Sequence, residues 1–247
     1  MNAVDAEALI ARWRALRAEV EDAGASLLAV SKYASDEAVA ALLDAGQLDF
    51  GESRPQQLRD RARRFPEARW HMIGPVQKNK AKYVGRFAAM WHSVEDARTA
   101  RLVARHVQGR RLQVLVQVNV LRLPGRHGVL PEAATELVEE LGSVPELEFA
   151  GLMCMAAKGG DARVAFSALR HLRDALAGGS LRRAGQAAPI LCMGMSGDWR
   201  EALEEGSDMV RLGSALFGDS RADARPTTRS AGPSAAGQAG TTRKEGT

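Results

Sequence analysis

Lys32 closes a short apolar run, Leu27-Leu28-Ala29-Val30, just ahead of a helix-like stretch that begins near Ser35. A lysine at the carboxyl end of a buried strand is costly unless its head reaches water or its amine is put to use. An amine held at such a strand end can condense with an aldehyde to form an imine. The plainer reading buries the stem and leaves the head in solvent. Lys32 alone does not separate the two.

Two later segments suit an anion. Met193-Gly194-Met195-Ser196-Gly197-Asp198 and Arg211-Leu212-Gly213-Ser214 each lead from a strand into a helix. Glycine lets backbone approach an anion closely, serine adds a hydroxyl donor, and a helix start presents free N–H groups. A serine cap beside a turn glycine explains either segment alone. Two of them on neighbouring strands favour a phosphate. An aldehyde-trapping lysine opposite a phosphate cradle fits pyridoxal phosphate. Charge-assisted hydrogen bonds contribute roughly 1.5–3 kcal/mol each, and micromolar binding needs only about 8 kcal/mol.

The segment Trp70-His71-Met72-Ile73-Gly74 with Gln77-Lys78-Asn79-Lys80 adds polar groups of ambiguous role. His71 reads either as a core histidine with one satisfied nitrogen or as part of a site. Lys78 and Lys80 read as a solvated helix start, and Gln77 and Asn79 as caps.

Positioning these groups at one place requires a repeating architecture. Short apolar runs alternate with helical patterns along the chain. Strands are expected at Leu27–Ser31, Asp49–Glu52, Trp70–Gly74, Met90–Val94, Leu112–Val120, Leu147–Met155, Ile190–Met195 and Asp208–Leu212. Each is followed by a helix, and a leading amphipathic helix over Met1–Val20 presents Leu9, Ile10, Trp13, Leu16 and Val20 on one face. Eight βα units in this length imply a closed parallel (β/α)8 TIM barrel. An open doubly wound sheet competes, but its glycine-rich first turn is missing, because Ser31-Lys32-Tyr33 stands there. In a barrel the chemistry gathers at the carboxyl ends of the strands, where Lys32, Ser53, Ile73, Met195, Ser196, Arg211, Gly213 and Ser214 all fall.

Composition excludes several classes. No apolar stretch approaches a membrane span. The N-terminus mixes acids and arginines and shows no secretory pattern. Cys154 and Cys192, the two cysteines, lie in apolar runs without metal-ligand spacing, which suits a reducing cytoplasm. The five histidines form no ligand pattern, so no metal is expected. Of the net charge of +4, the tail Ser220–Thr247 carries +3, from five basic against two acidic residues. The body is close to neutral and lacks the basic and aromatic interleaving of a nucleic-acid surface. The tail is poor in large apolar residues and is expected to be disordered, so the domain should span 1–218 and the basic tail 219–247.

The chain resembles the YggS/PROSC family of pyridoxal phosphate homeostasis proteins. The resemblance rests on Leu28-Ala29-Val30-Ser31-Lys32, Phe50-Gly51-Glu52, Trp70-His71-Met72-Ile73-Gly74, His92-Ser93-Val94, Gln117-Val118-Asn119, the Met193–Asp198 segment and Val210-Arg211-Leu212-Gly213-Ser214. It implies a single barrel like the N-terminal domain of alanine racemase, with pyridoxal 5′-phosphate held as an imine to Lys32. Ser196, Gly213, Ser214 and the backbone of Met195 would hold the phosphate, and Arg211 would face the pyridine nitrogen. The cofactor-binding residues expected are thus Lys32, Ser53, His71, Ile73, Met195, Ser196, Arg211, Gly213 and Ser214, with no catalytic residue and no metal. Two departures stand out. Ser53-Arg54-Pro55-Gln56-Gln57 replaces the family's Asn-Tyr-x-Gln-Glu, so Ser53 stands for an amide. Arg126-His127-Gly128 replaces Lys-x-Gly.

An always-cationic arginine against the ring nitrogen discourages its protonation and weakens the cofactor as an electron sink. The expectation is therefore a monomeric carrier or buffer of the cofactor, serving vitamin B6 and amino-acid balance without robust catalysis. It would hand the cofactor transiently to apo-enzymes. A single-domain amino-acid racemase-like enzyme is the alternative. A barrel acting on sugar phosphates through an imine to the substrate is a third reading.

Overall fold

The computed structural model describes residues 3–157, 159–179 and 188–218. The tail expected over 219–247 lies outside them. Eight strands close into a parallel barrel in sequence order, and the eighth pairs back onto the first. The strands are β1 Ser26–Val30, β2 Asp49–Glu52, β3 Arg69–Met72, β4 Met90–Val94, β5 Leu112–Gln117, β6 Leu147–Met153, β7 Ile190–Met195 and β8 Met209–Leu212.

The helices are α1 Ala3–Asp22, α2 Asp36–Asp44, α3 Pro55–Arg64, α4 Ala81–Phe87, α5 Ala97–Ala104, α6 Pro131–Gly142, α7 Ala162–Gly178, α8 Trp199–Glu204 and α9 Ser214–Phe217. Local chemistry sets their starts. Ser35 and Asp96 accept the backbone N–H groups of Ala38 and Thr99, and prolines open α3 and α6. None of the helices among the described residues is long and apolar enough to cross a membrane.

Side-chain alternation splits the core in two. Outward residues such as Ala29, Phe50, Trp70 and Val114 pack against the helices in the larger cluster. Inward residues Leu28, Met90, Leu115, Met153, Cys192 and Met209 fill the barrel interior. On α1, Leu9, Trp13 and Val20 are buried and Ile10 and Leu16 pack alongside. The Trp13 indole N–H donates to Gln47, whose amide donates to the carbonyls of Leu27 and Asp49. The Arg12 guanidinium donates to the Leu216 carbonyl and ties α1 to α9.

Four strands stop short of their expected ends: β1 at Val30, β3 at Met72, and β5 and β6 as follows. β5 ends at Gln117 because the Asn119 side chain bonds both the N–H and the carbonyl of Leu123, which turns the chain outward. β6 ends at Met153 because the next carbonyl, on Cys154, accepts from Arg211 instead of a neighbouring strand. The helix expected from Lys78 begins as a 3₁₀ turn over Lys78–Lys80 before α4.

Candidate functional site

A cavity of about 530 Å³ opens at the carboxyl ends of the strands. Its size suits a small-molecule ligand. Lys32, Ser53, Ile73, Met195, Ser196, Arg211, Gly213 and Ser214 all lie on its wall. They come from the ends of β1, β2, β3, β7 and β8, so barrel closure brings together residues up to 182 positions apart. His71 is not on that wall. It points into the barrel interior, buried, with Nδ1 2.9 Å from His92 and Nε2 3.1 Å from Asp49.

Lys32 is half-buried, with Nζ 5.3 Å from the centre of the Tyr33 ring. Its carbonyl accepts a hydrogen bond of 3.1 Å from the Gln57 side chain. Just behind it, the Ser31 hydroxyl donates to Glu52 across 2.7 Å. Burial pushes the Glu52 carboxyl up to about 7, against the Ser31 hydrogen bond and the charges of Arg61 and Lys32. Its second oxygen is buried without a partner among the described residues. A neutral carboxyl tolerates that position where a carboxylate would be costly.

On the opposite side, β7 carries a bulge. Cys192 pairs with Met209, but Met195 pairs with Arg211, so three steps on β7 match two on β8. Gly194 takes φ +91° there, and a Cβ on it would lie 2.6 Å from the Ala202 methyl. The extra residue turns Met195 toward the cavity, while Met193 stays in the outer core. Asp198 accepts the Met195 N–H at 2.6 Å and locks the turn.

The Ser196 hydroxyl oxygen accepts the backbone N–H groups of Gly213 and Ala215 at 3.2 and 3.1 Å. Its own proton is thereby left to donate into the cavity, beside Ser214. This donor set fits a phosphate. Arg211 is buried, and Nη1 donates to the carbonyl and Sγ of Cys192 at 2.7 and 3.1 Å while Nη2 donates to the Cys154 carbonyl at 2.8 Å. Those bonds leave Nε and one Nη2 proton of a five-donor guanidinium for other partners.

Gln57 and Cys192 were not legible as site-supporting residues from sequence. Gln57 lies in the first turn of α3, in the run that departs from the family pattern, and Cys192 has the signature of any buried thiol. Of the two departures noted above, Ser53 reaches the wall, whereas Arg126, His127 and Gly128 do not line this cavity. His127 pairs with Glu95 at 3.1 Å on the surface.

The sequence profile of the alanine racemase N-terminal domain family matches residues 4–221. The pyridoxal phosphate homeostasis protein of Escherichia coli (strain K12) is 34% identical over 200 residues, covering 78% of this chain and 85% of the relative. That of Vibrio cholerae serotype O1 is 36% identical over 207 residues, covering 78% and 84%. The structure of PipY from Synechococcus elongatus PCC7942 with PLP bound superposes with a TM-score of 0.75 at 28% identity, covering 85% of this chain and all of that one. Alanine racemase from Corynebacterium glutamicum shares the fold, with a TM-score of 0.67 at 17% identity, over 85% of this chain and 60% of that one. This chain belongs to the alanine racemase N-terminal domain family and, within it, to the pyridoxal phosphate homeostasis (YggS/PROSC) proteins.

Proposed function

We propose that this protein binds pyridoxal 5′-phosphate and buffers or carries it. The observation that carries the reading is the placement of Lys32 on the same small cavity as Ser196, Gly213, Ser214 and Arg211. The bound cofactor supplies a reactive aldehyde, with which the Lys32 amine condenses with loss of water. Ser196, with Gly213 and Ser214, holds the phosphate. Ile73 and Met195 give the ring apolar walls, and Ser53 lines its edge.

Arg211 sets the character of the site. Its cationic guanidinium beside the ring nitrogen discourages protonation there, which suits storage better than electron-sink chemistry. The likeness to the homeostasis proteins supports the same reading, and PipY, whose structure holds PLP, shares the barrel.

The free thiols of Cys154 and Cys192 support a reducing compartment, the cytoplasm. Transfer to apo-enzymes would use the open end of the barrel.

Purified protein incubated with pyridoxal phosphate is expected to gain a visible absorption band, and Lys32→Ala to lack it. Borohydride reduction followed by peptide mapping should place the label on Lys32. A label on another lysine, or none, overturns the proposal.

A further inference from the structure

Barrel interiors are ordinarily filled by branched apolar side chains. Here a polar chain crosses the interior instead. Arg211 Nη1 lies 3.1 Å from Sγ of Cys192, and that sulfur lies 3.3 Å from Nδ1 of His92. His92 Nε2 lies 2.9 Å from His71 Nδ1, and His71 Nε2 lies 3.1 Å from Asp49. At the far end Arg69 donates to Asp49 across 2.7 Å. Five strands contribute, β2, β3, β4, β7 and β8, with β3 supplying both His71 and Arg69, and His71, His92, Cys192 and Arg211 are all buried.

The chemistry of the two ends fixes the direction of every bond. A guanidinium has no acceptor, so Arg211 donates to the sulfur. Of the two side chains that meet that sulfur, only His92 accepts, so the thiol proton points to His92 Nδ1. The His92 proton then sits on Nε2 and is donated to His71 Nδ1. The His71 proton likewise sits on Nε2 and is donated to the Asp49 carboxylate, which only accepts. All four bonds run from the cavity to the opposite end of the barrel.

We propose that Asp49, His71, His92 and Cys192 are positioning residues, forming a one-way hydrogen-bond chain that orients Arg211 toward the cofactor cavity. The proposal rests on the reading that the ring nitrogen of pyridoxal phosphate meets Arg211. The protonation states agree with it. Burial, with the charge of Arg211, holds His92 well below the usual histidine range, so its ring stays neutral. Burial pushes the Cys192 thiol up, so the sulfur keeps its proton. Burial would raise the Asp49 carboxyl, but hydrogen bonds from Arg69 and His71 outweigh it and hold the group ionised. With both termini of the chain fixed, Nη1 is committed to Cys192 and the guanidinium plane cannot swing away from the cavity floor.

Nitrogen-15 NMR of histidine-labelled full-length protein without ligand reads the chain directly. The bond directions place the proton on Nε2 and leave Nδ1 bare in both His71 and His92. In Cys192→Ala the His92 Nδ1 resonance should move, and pyridoxal phosphate affinity should fall about five- to tenfold, the effect of one lost buried hydrogen bond. Cys192→Ser, whose hydroxyl both donates and accepts, should restore affinity to within about twofold. Loss of packing alone would affect the two variants alike and leave the ring resonances in place.

An Nδ1–H tautomer, or a doubly protonated ring, at either histidine overturns the proposal. So does a Cys192→Ala protein that binds the cofactor as the parent does. Parent protein with both expected tautomers but no cofactor uptake supports the chain and sinks the cofactor reading, so the two failures are distinguishable.

Discussion

The side-chain amide of Gln57 donates to the backbone carbonyl of Lys32 across 3.1 Å. α3 thereby holds the strand end that presents the Lys32 amine. Gln57→Ala should leave the fold intact and weaken pyridoxal phosphate binding about three- to tenfold, because Lys32 loses its anchor rather than its chemistry. Titration of the visible band measures this. An unchanged affinity would show that β1 alone fixes the lysine.

A change at Ser196 tests phosphate recognition apart from aldehyde capture. Its oxygen gathers two backbone N–H groups. Ser196→Ala should lower the affinity for pyridoxal phosphate about tenfold. Pyridoxal, which lacks the phosphate, should bind both proteins equally. A similar loss for both compounds would mean that Ser196 shapes the cavity without touching the phosphate.

Gly194 has no tolerated substitute. Its φ of +91° and the 2.6 Å approach of an added Cβ to Ala202 act together. Gly194→Ala should cost about 2–4 kcal/mol from backbone strain and overpacking. Thermal unfolding of the apo-protein reads that loss, and a melting temperature within a degree or two of the parent would refute the bulge argument.

Glu52 and His92 give opposite pH dependences. The folded-state Glu52 carboxyl is raised from 4.5 to about 7, so its favourable contribution is complete below about pH 4.5 and is lost as pH rises through 7. His92 is lowered from 6.5, so its contribution is present above about pH 6.5 and is lost on acidification. Glu52→Gln should remove the decline between pH 4.5 and 7 and gain about 1–3 kcal/mol at pH 8. Denaturant midpoints taken across that range check it. A Glu52→Gln protein with the parent's slope would show that the carboxyl is ionised in the fold at neutral pH.

The barrel was legible because its signals are local. Runs such as Leu112–Gln117 followed by the proline-capped helix from Pro131 repeat a strand–helix alternation that neighbouring residues alone specify. Lys32, Ser196 and Arg211 could be placed at one rim for the same reason, since each ends a strand and a closed parallel barrel puts all strand ends on one face.

The shortened ends of β5 and β6 were not legible. They depend on where the Asn119 and Arg211 side chains find partners after the barrel closes. The position of His71 was equally hidden. A residue on β3 faces either the cavity or the interior below it according to its height along the barrel axis.

Residue order alone thus determined the number of strands, their parallel sense and the rim position of Lys32 and of the two glycine–serine turns, because periodicity and turn chemistry act over a few neighbours. Closure and register decided the rest. Cys192 meets Arg211 across 19 positions only because β7 pairs with β8, which sets Cys192 opposite Met209, two residues before Arg211. His92 meets Cys192 across 100 positions only because two strands far apart in sequence face each other through the same interior. Such meetings belong to the geometry of the closed sheet, which no short stretch of chain encodes.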